Sequence, residues 1–542
     1  MNDMKNIFRI TLLIAALSLG AACSKEYLET SPESSVSPAT IFESTENVKL
    51  AINGMSRMMT TQYLSNQGLN GEGAIKTWYG NFGNDLQRCN QTGWAALWNH
   101  TYHENVNSTY LVYPWFYYYK IIGNANQVIK NIENADGPET EKQFYKAQAL
   151  VFRAHAYTML LQLYAYRWQD SNNGSSNGVI LRLTPDPNED KEIGYSMPLS
   201  SQAECYAQIY ADCDEAIQLF QSSGIKRAST DFYLPDINVA YAVKTRAALT
   251  REDWATAAAA APKAREGHPL MSKDQYMNGG FNVAPGSTNN EWIWGVYEAE
   301  DQTIYYYSFF AYQASNASSS MQRTYPLAIS KELYDQIPAT DARRAMWLAP
   351  TQEEWEETFV NKSTGKTQYC ISRTNGKAEQ GALYDRAKKT GKLYSTSQVY
   401  QYMQTKFQCV FYPGGGSFNI YRSAEMILSE AEALCHLGGQ DAKVQSLLNE
   451  LNKNLDPSYK CTKTGADLLT EVKLYRRIDL WGEGFDWYDY KRWNVPIVRK
   501  SIADGGSFQS AFAVTINVGD GNKWTWKIPR NETDYNKLVS LE

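Results

Sequence analysis

Two long stretches on either side of a short link constrain this chain more than anything else in it. YLVYPWFYYYKIIGNANQVIKNIENA, residues 110–135, sets Ile121, Ala125, Val128, Ile129 and Ile132 at helical spacing. TEKQFYKAQALVFRAHAYTMLLQLYAYRW, residues 140–168, sets Leu150, Ala154, Tyr157 and Leu161 on a second stripe. Apolar residues recurring every three to four positions give a helix one face that must be buried. The intervening DGPE turn is short enough to favour an antiparallel pair. Small alanines along the second stripe permit close contact between the two helices.

The pattern continues down the chain. Ser201 opens a third helix, where its hydroxyl can cap free backbone N–H groups while Glu204 reaches back, and Tyr206, Ile209, Cys213, Ile217 and Phe220 form the apolar face. NVAYAVKTRAALTREDWATAAAAAPKAREG, residues 238–267, reads as two Ala-rich helices joined at TRED, with Trp254 starting the second. Residues 421–455 are built the same way, with Gly438 and Gly439 as stop and turn, and a last amphipathic helix runs from about Asp467 to Trp481. Such pairs resemble stacked tetratricopeptide-type hairpins, which bury one continuous core between neighbours. The expected fold is therefore mainly α: a tetratricopeptide-like helical-hairpin scaffold carrying a loop-rich, irregular ligand-binding lobe. With 542 residues the chain exceeds one ordinary core. It divides into an N-terminal scaffold at 41–267 that includes an aromatic loop at 65–109, a loop-rich insertion at 268–420, and a C-terminal scaffold at 421–542.

The first residues have a different character. Lys5 and Arg9 precede an apolar run from Ile10 to Leu19, then Gly20, Ala21, Ala22 and Cys23. Residues 1–22 match a secretory signal peptide, and the apolar run is too short to span a bilayer. Cys23 directly after the small residues looks like a lipobox cysteine, acylated as the new amino terminus, although Gly20 stands where such motifs carry Leu and Leu19 lies one place further back. Acyl chains partition into a bilayer at roughly 0.8 kcal/mol per buried CH₂, enough to hold a protein at a membrane surface. Residues 23–40 are polar and rich in Pro and Ser, as a flexible tether is. The other seven cysteines contain no CxxC pair, and Cys205 and Cys213 are two helical turns apart, so buried thiols are expected instead of disulfides or a zinc site.

Acidic residues exceed basic ones by six and no Lys/Arg block appears, which argues against nucleic acid as a partner. Neither HExxH, GxSxG, a phosphate loop nor a strand-to-helix GxGxxG is present, and STGKT at 363–367 lacks the upstream glycine. DPNEDKEIG at 186–194 fails as a calcium loop because Lys191 replaces the sixth-position glycine and Met197 stands at the twelfth position. His100 and His103 beside Glu104 lack a third metal ligand and read as polar loop residues. No catalytic residue, metal or cofactor is therefore assigned, although a glycosidase carboxylate pair would be set by space and not by sequence.

Taken in order, the segments resemble the SusD/RagB-type outer-membrane nutrient-binding lipoproteins of Gram-negative bacteria. CSKEYLETSP is similar to that family's acylated Cys and x-L-E-x-x-P element, here Tyr27, Leu28, Glu29 and Pro32. Trp115, Tyr119, Ile122, Asn124, Asn126 and Ile129 resemble its W-x-x-x-Y-x-x-I helix, and RAHAYTMLLQLYAYRW its R-A-x-x-Y helix, with Ala165 in place of the usual Gly. NNEWIWGVY, residues 289–297, resembles its N-x-E-x-I-F strand; YRSAEMILSEAEAL, LYRRIDLWGEGFDWYDYKRW and IPRNETDYN resemble its closing helices and terminal I-P-x-x-E-x-x-x-N.

The resemblance implies a non-enzymatic lipoprotein of the outer membrane, facing the cell exterior, that captures oligosaccharides and passes them to a SusC-like TonB-dependent transporter over which it sits as a lid. Sugar C–H faces pack on aromatic rings and hydroxyls need polar partners. The chain holds 38 Tyr, 18 Phe and 15 Trp, and both residue sets are dense at 65–109 and 268–420. Candidate stacking platforms are Trp78, Trp94, Trp98 and Tyr102, with Asp85 and Asn99 offering hydrogen bonds; Tyr306, Tyr312, Gln313, Arg323 and Tyr325 come from the second stretch. Trp115, Trp254, Trp481 and Trp487 fall on helical or motif positions and are assigned to packing. Two alternatives stand beside this reading: a peptide-binding or scaffolding lipoprotein of the same type, and a secreted carbohydrate-active enzyme.

Overall fold

A computed structural model describes residues 38–89, 95–185, 196–283, 287–300, 307–356, 359–360, 367–368, 370–371, 382–519 and 524–540. Cys23, the tether up to residue 37 and the 186–194 stretch lie outside these residues.

In chain order the elements that matter are helix α1 (Thr45–Met58), α2 (Gly71–Trp78) and strand β1 (Leu86–Arg88), followed by the first long pair, α3 (Thr109–Asn131) and α4 (Glu139–Tyr164). Every residue of α4 from Ala147 to Tyr164 is buried, because α3 packs on one side of it and α5 (Gln202–Ser223) on the other. A helix covered all round must be apolar all round, and its few polar groups must be paired. Arg153 accordingly makes a two-pronged bond to Asp212 of α5, at 2.8 and 2.6 Å. Ser201 and Glu204 form the expected reciprocal cap on α5.

The Ala-rich stretch forms α6 (Ile237–Thr250) and α7 (Trp254–Ala264), which turn at Arg251–Asp253 with Glu252 in the left-handed region. Strand β2 (Trp292–Val296), short helix α8 (Phe309–Gln313) and strand β3 (Leu327–Ile329) come from the insertion. Strand β4 (Phe418–Arg422) pairs antiparallel with β2 and runs straight into α9 (Ser423–Leu437), which is followed by α10 (Asp441–Asn452), α11 (Gly465–Asp479) and α12 (Asp486–Trp493). Strands β5 (Ile497–Arg499) and β6 (Val514–Ile516) pair antiparallel near the end. Helices α9 to α11 share a core of their own, and α7 packs on α9, where the half-buried Trp254 stacks on His436 at 4.0 Å. The last predicted helix stops at Asp479 and not at Trp481, because Gly482 and Gly484 take positive φ and turn the chain toward α12. Trp115, Trp481 and Trp487 are buried.

This turn fits closely against the chain leaving α2. A Cβ built on Gly80 would stand 2.1 Å from the Gly484 carbonyl oxygen, while the Gly80 carbonyl accepts the Trp487 N–H at 2.9 Å. Gly80→Ala is expected to cost about 2 kcal/mol in a denaturant titration, within the usual range for overpacking against rigid backbone.

The terminal residues return to the beginning. Trp526 and Lys527 donate backbone N–H groups to the Leu163 and His103 carbonyls, both at 3.0 Å. Glu532 accepts from the Trp115 indole at 3.1 Å and pairs with Arg182 at 2.8 Å, and Asn536 donates to the Met197 carbonyl at 2.7 Å. The terminal motif is thus a clasp on α3 and α4.

Candidate functional site

Strand β1 organises the region that the sequence singled out. It pairs antiparallel with β3, matching Leu86 to Ile329 and Arg88 to Leu327. The other edge of β3 holds residues 402–404: Ile329 donates to the Tyr402 carbonyl at 3.1 Å and Gln404 to the Leu327 carbonyl at 2.9 Å. Successive side chains on a strand point to opposite faces, so Leu86 and Arg88 share one side of β1 and Gln87 and Cys89 the other.

On the first side Arg88 is the centre. Its guanidinium carbon lies 5.6 Å from the Trp78 ring, 5.7 Å from Trp98 and 5.8 Å from Tyr312. Nη1 donates to the Tyr325 carbonyl at 2.8 Å and the Tyr312 carbonyl at 3.4 Å. Trp78 meets Tyr312 edge-on at 4.8 Å and is fixed by its indole N–H, which donates to the Gly68 carbonyl at 3.0 Å. Four separate predictions, Trp78, Trp98, Tyr312 and Tyr325, thus converge on one arginine, and Gln313 sits next to them with its amide on Thr77 at 3.2 Å. Arg88 itself was missed. The signal was present: between Trp78 and His103 the only charged residues are Asp85 and Arg88, and an isolated cation among so many aromatic rings has somewhere specific to go.

The structure places most of these residues in packing and not on an open surface. Trp78, Trp98 and Tyr312 are at most 1 % exposed and Gln313 is fully buried, so none presents a face to a passing sugar in this conformation. They pack as a wall, Trp98 with its edges toward Phe82 and Phe512 at 5.5 and 6.0 Å. The carboxylate of Asp85 is gripped by Arg477 of α11 at 2.8 and 2.6 Å, and pins that helix to β1. Asn99 spends its amide on the Ala511 carbonyl at 2.7 Å, Tyr102 packs on Tyr110 at 5.3 Å, and Arg323 bonds the Ser318 carbonyl and Thr396. Trp94 and Tyr306 lie outside the described residues. His100 and His103 are buried and not loop surface: His100 stacks on Trp487 at 3.9 Å. Among the described residues no group of His, Cys, Asp or Glu is arranged to hold a metal ion.

On the second side of β1 lies an open cleft of about 270 Å³. Gln87 and Cys89 form its floor, Tyr400, Gln401 and Tyr402 one wall, and Gly505, Gly506, Ser507 and Gln509 the other, with exposed Lys331 at the mouth. None of these wall residues was anticipated, since they come from parts of the chain more than 400 positions apart and carry no local motif. Tyr402 has φ +61°, a conformation that a bulky side chain rarely adopts. It is held there by the bond from its N–H to the Leu348 carbonyl at 2.9 Å and by the one its carbonyl accepts from Ile329. Strain of this kind, retained on the wall of an open cleft, is typical of a binding surface. Burial pushes the Tyr402 phenol up to about 12, so it stays a neutral donor. Tyr400 gives its hydroxyl to Gln398 at 2.8 Å, whose N–H in turn reaches the Arg323 carbonyl at 2.9 Å, and this chain of bonds joins the cleft to the Arg323 segment.

Family models account for the chain from residue 26 to residue 538. Residues 26–249 match one described as starch-binding associating with outer membrane, and residues 245–538 match that of the SusD family. The chain belongs to the SusD family. No curated protein sequence matches it. A SusD-like carbohydrate binding protein from Bacteroides vulgatus is similar in structure, with TM-score 0.72 and 21 % identity over 92 % of this chain and 98 % of that one. A SusD superfamily protein from Bacteroides thetaiotaomicron gives TM-score 0.69 at 19 % identity over 92 % and 99 %, and one from Bacteroides fragilis 0.63 at 19 % over 92 % and 100 %. At these identities the likeness establishes the mainly helical SusD-like fold. Among the described residues no helix is long and apolar enough to cross a membrane.

Proposed function

We propose that this SusD-family protein captures oligosaccharides at the outer membrane for uptake, holding them in the cleft on β1 without cleaving them. The observation that carries the reading is the placement of an open cleft, walled by Tyr400, Tyr402, Gln87, Gln401 and Gln509, directly across one strand from the packed Trp78, Trp98 and Tyr312 rings. Tyr faces and Gln amides supply the two contacts a sugar needs, a flat apolar surface and partners that both donate and accept. A rigid aromatic wall behind the strand keeps those groups in position before a ligand arrives, which lowers the cost of ordering them on binding. Acylation at Cys23 would tether the protein to the membrane, and handing the sugar to a SusC-like TonB-dependent transporter completes the proposal; both parts rest on family membership.

The test is calorimetric titration of a panel of oligosaccharides, with peptides alongside, against the purified mature protein and its Gln401→Ala/Gln509→Ala variant. At least one glycan should bind, and the double variant should bind it roughly tenfold or more weakly, the loss expected from two hydrogen bonds. Unchanged affinity in a folded variant would remove the cleft from the proposal, and binding of peptides alone would replace the ligand class. Chromatography of the recovered sugar should show no shortened product.

A further inference from the structure

Eight arginines are buried among the described residues. Six have a carboxylate within salt-bridge distance: Arg153 with Asp212, Arg246 with Glu425, Arg343 with Asp341 and Asp479, Arg422 with Glu291, Asp479 and Glu483, Arg476 with Asp489, and Arg492 with Glu432. The fold thus neutralises its buried guanidinium groups as a rule, as the cost of an unpaired buried charge requires. Arg88 and Arg499 break the rule. They are 0 % and 2 % exposed and have no acidic partner within salt-bridge distance among the described residues.

The two exceptions occupy one place. Arg88 lies over the Trp98 ring, and Arg499 donates from Nη2 to the Trp98 carbonyl at 2.6 Å and the Phe82 carbonyl at 3.5 Å. The remaining donors, Nε and Nη2 of Arg88 and Nε and Nη1 of Arg499, have no hydrogen-bond partner. Burial pulls both guanidinium groups down to about 10, and the one acid that opposes this at Arg499 is Asp486. That carboxyl is itself pushed up strongly, by burial first and by Asp85 second, which weakens it as a counter-charge. Both arginines sit behind the cleft: Arg88 between floor residues Gln87 and Cys89, and Arg499 at 5.9 Å from the ring of Phe508, which lies between wall residues Ser507 and Gln509.

We infer that the glycan this cleft takes is an acidic one, carrying a uronate carboxylate or a sulfate ester, and that its charge is the counter-ion for Arg88 and Arg499. The inference rests on the glycan-capture reading and adds to it the charge class of the ligand. Two fixed cations behind a low-dielectric wall favour an anion in the cleft through their field, without direct contact.

The experiment compares sugars of one linkage that differ only in charge: oligogalacturonates against their methyl esters, and chondroitin sulfate oligosaccharides against the chemically desulfated, carboxyl-reduced form. In one pair at least, the acidic member should bind the unmodified protein ~10-fold or more tightly than its neutral counterpart, and raising the salt from about 50 to about 500 mM should erode that difference, as screening requires. Chondroitin that is desulfated but keeps its uronate, set beside the fully neutral form, identifies which group is taken. Arg88→Gln/Arg499→Gln should abolish the preference, and Arg88→Lys/Arg499→Lys should restore part of it. Equal binding of acidic and neutral members, or a preference that survives the Gln variant, overturns the inference. If neutral oligosaccharides alone bind, the glycan reading stands and the charge assignment falls; if no glycan of either kind binds, both fall. The ester comparison needs no variant, so it decides the charge class of the ligand even if the Gln protein does not fold, and Lys331→Gln, which should leave the preference in place, separates the buried pair from the exposed cation at the mouth.

Discussion

Arg422→Ala is expected to lower the free energy of unfolding by roughly 3–5 kcal/mol, the cost of stripping one partner from a buried ionic cluster. Arg422 is 1 % exposed and faces three carboxylates. Its Nη1 meets Glu291 at 2.8 Å, its Nε and Nη2 meet Glu483 at 2.9 and 2.8 Å, and Nη2 also bonds Asp479. Arg343 supports Asp479 from the other side at 2.7 Å, and Lys406 supports Glu483 at 2.8 Å. Burial already pushes the Glu291 carboxyl upward, and Arg422 is the main influence holding it down. Without that guanidinium, Glu291 would be pushed further upward. Urea titration at neutral pH should show the loss, with Arg422→Lys falling between the two proteins because an ammonium keeps the charge and cannot fork. A loss below about 1 kcal/mol would mean that the cluster relaxes freely, contrary to the close packing around it.

Stability should also fall as the pH rises from about 5 to about 8, and Glu298 is one carboxyl that contributes. Glu298 is 5 % exposed and burial is the main cause that raises it from 4.5 to about 8, opposed by a backbone hydrogen bond and by Arg57. A group whose folded value lies above its unfolded one holds its proton more tightly in the native state. Its contribution is therefore complete below pH 4.5 and is lost as the pH climbs through 8, with a ceiling of about 5 kcal/mol from the width of that interval. Glu298→Gln keeps the neutral shape and should flatten the profile in this range. Glu432 acts in a separate window: its pairing with Arg492 overcomes burial and holds it down to about 2, so its contribution is present above 4.5 and disappears only as the pH falls toward 2. Denaturant titrations at pH 5, 6.5 and 8 on both proteins separate the two, and identical slopes would exclude Glu298 as the source.

The helical frame was legible because its determinants are local. Spacing of Leu150, Ala154, Tyr157 and Leu161 fixes a face within a few turns, and the Ser201 and Glu204 cap lies within three residues. Strand β2 was visible in NNEWIWGVY for the same reason. Which aromatic rings belong together could also be read in part, since Trp78, Trp98 and Tyr312 all lie around Arg88. Whether a ring is a surface or a wall could not. Trp78 is closed off by Tyr312, 234 positions later, and Asp85 is occupied by Arg477, 392 positions later. A loop sequence rich in Gly, Asn and Trp looks the same whether it faces water or another loop. The cleft illustrates the same limit more sharply, because its floor, walls and mouth are contributed by a few residues from each of four distant segments.

The clasp formed by Glu532 and Asn536 has a temporal consequence. A ribosome makes α3 and α4 long before it makes the residues that satisfy Trp115, Arg182 and the Met197 carbonyl. The first hairpin therefore waits, with these groups unmatched, until residues 532–536 have been made, about 370 positions after α4 is complete, and those residues lock what was built much earlier. A nascent chain stopped before Glu532 would carry its first hairpin unlatched and open to proteases.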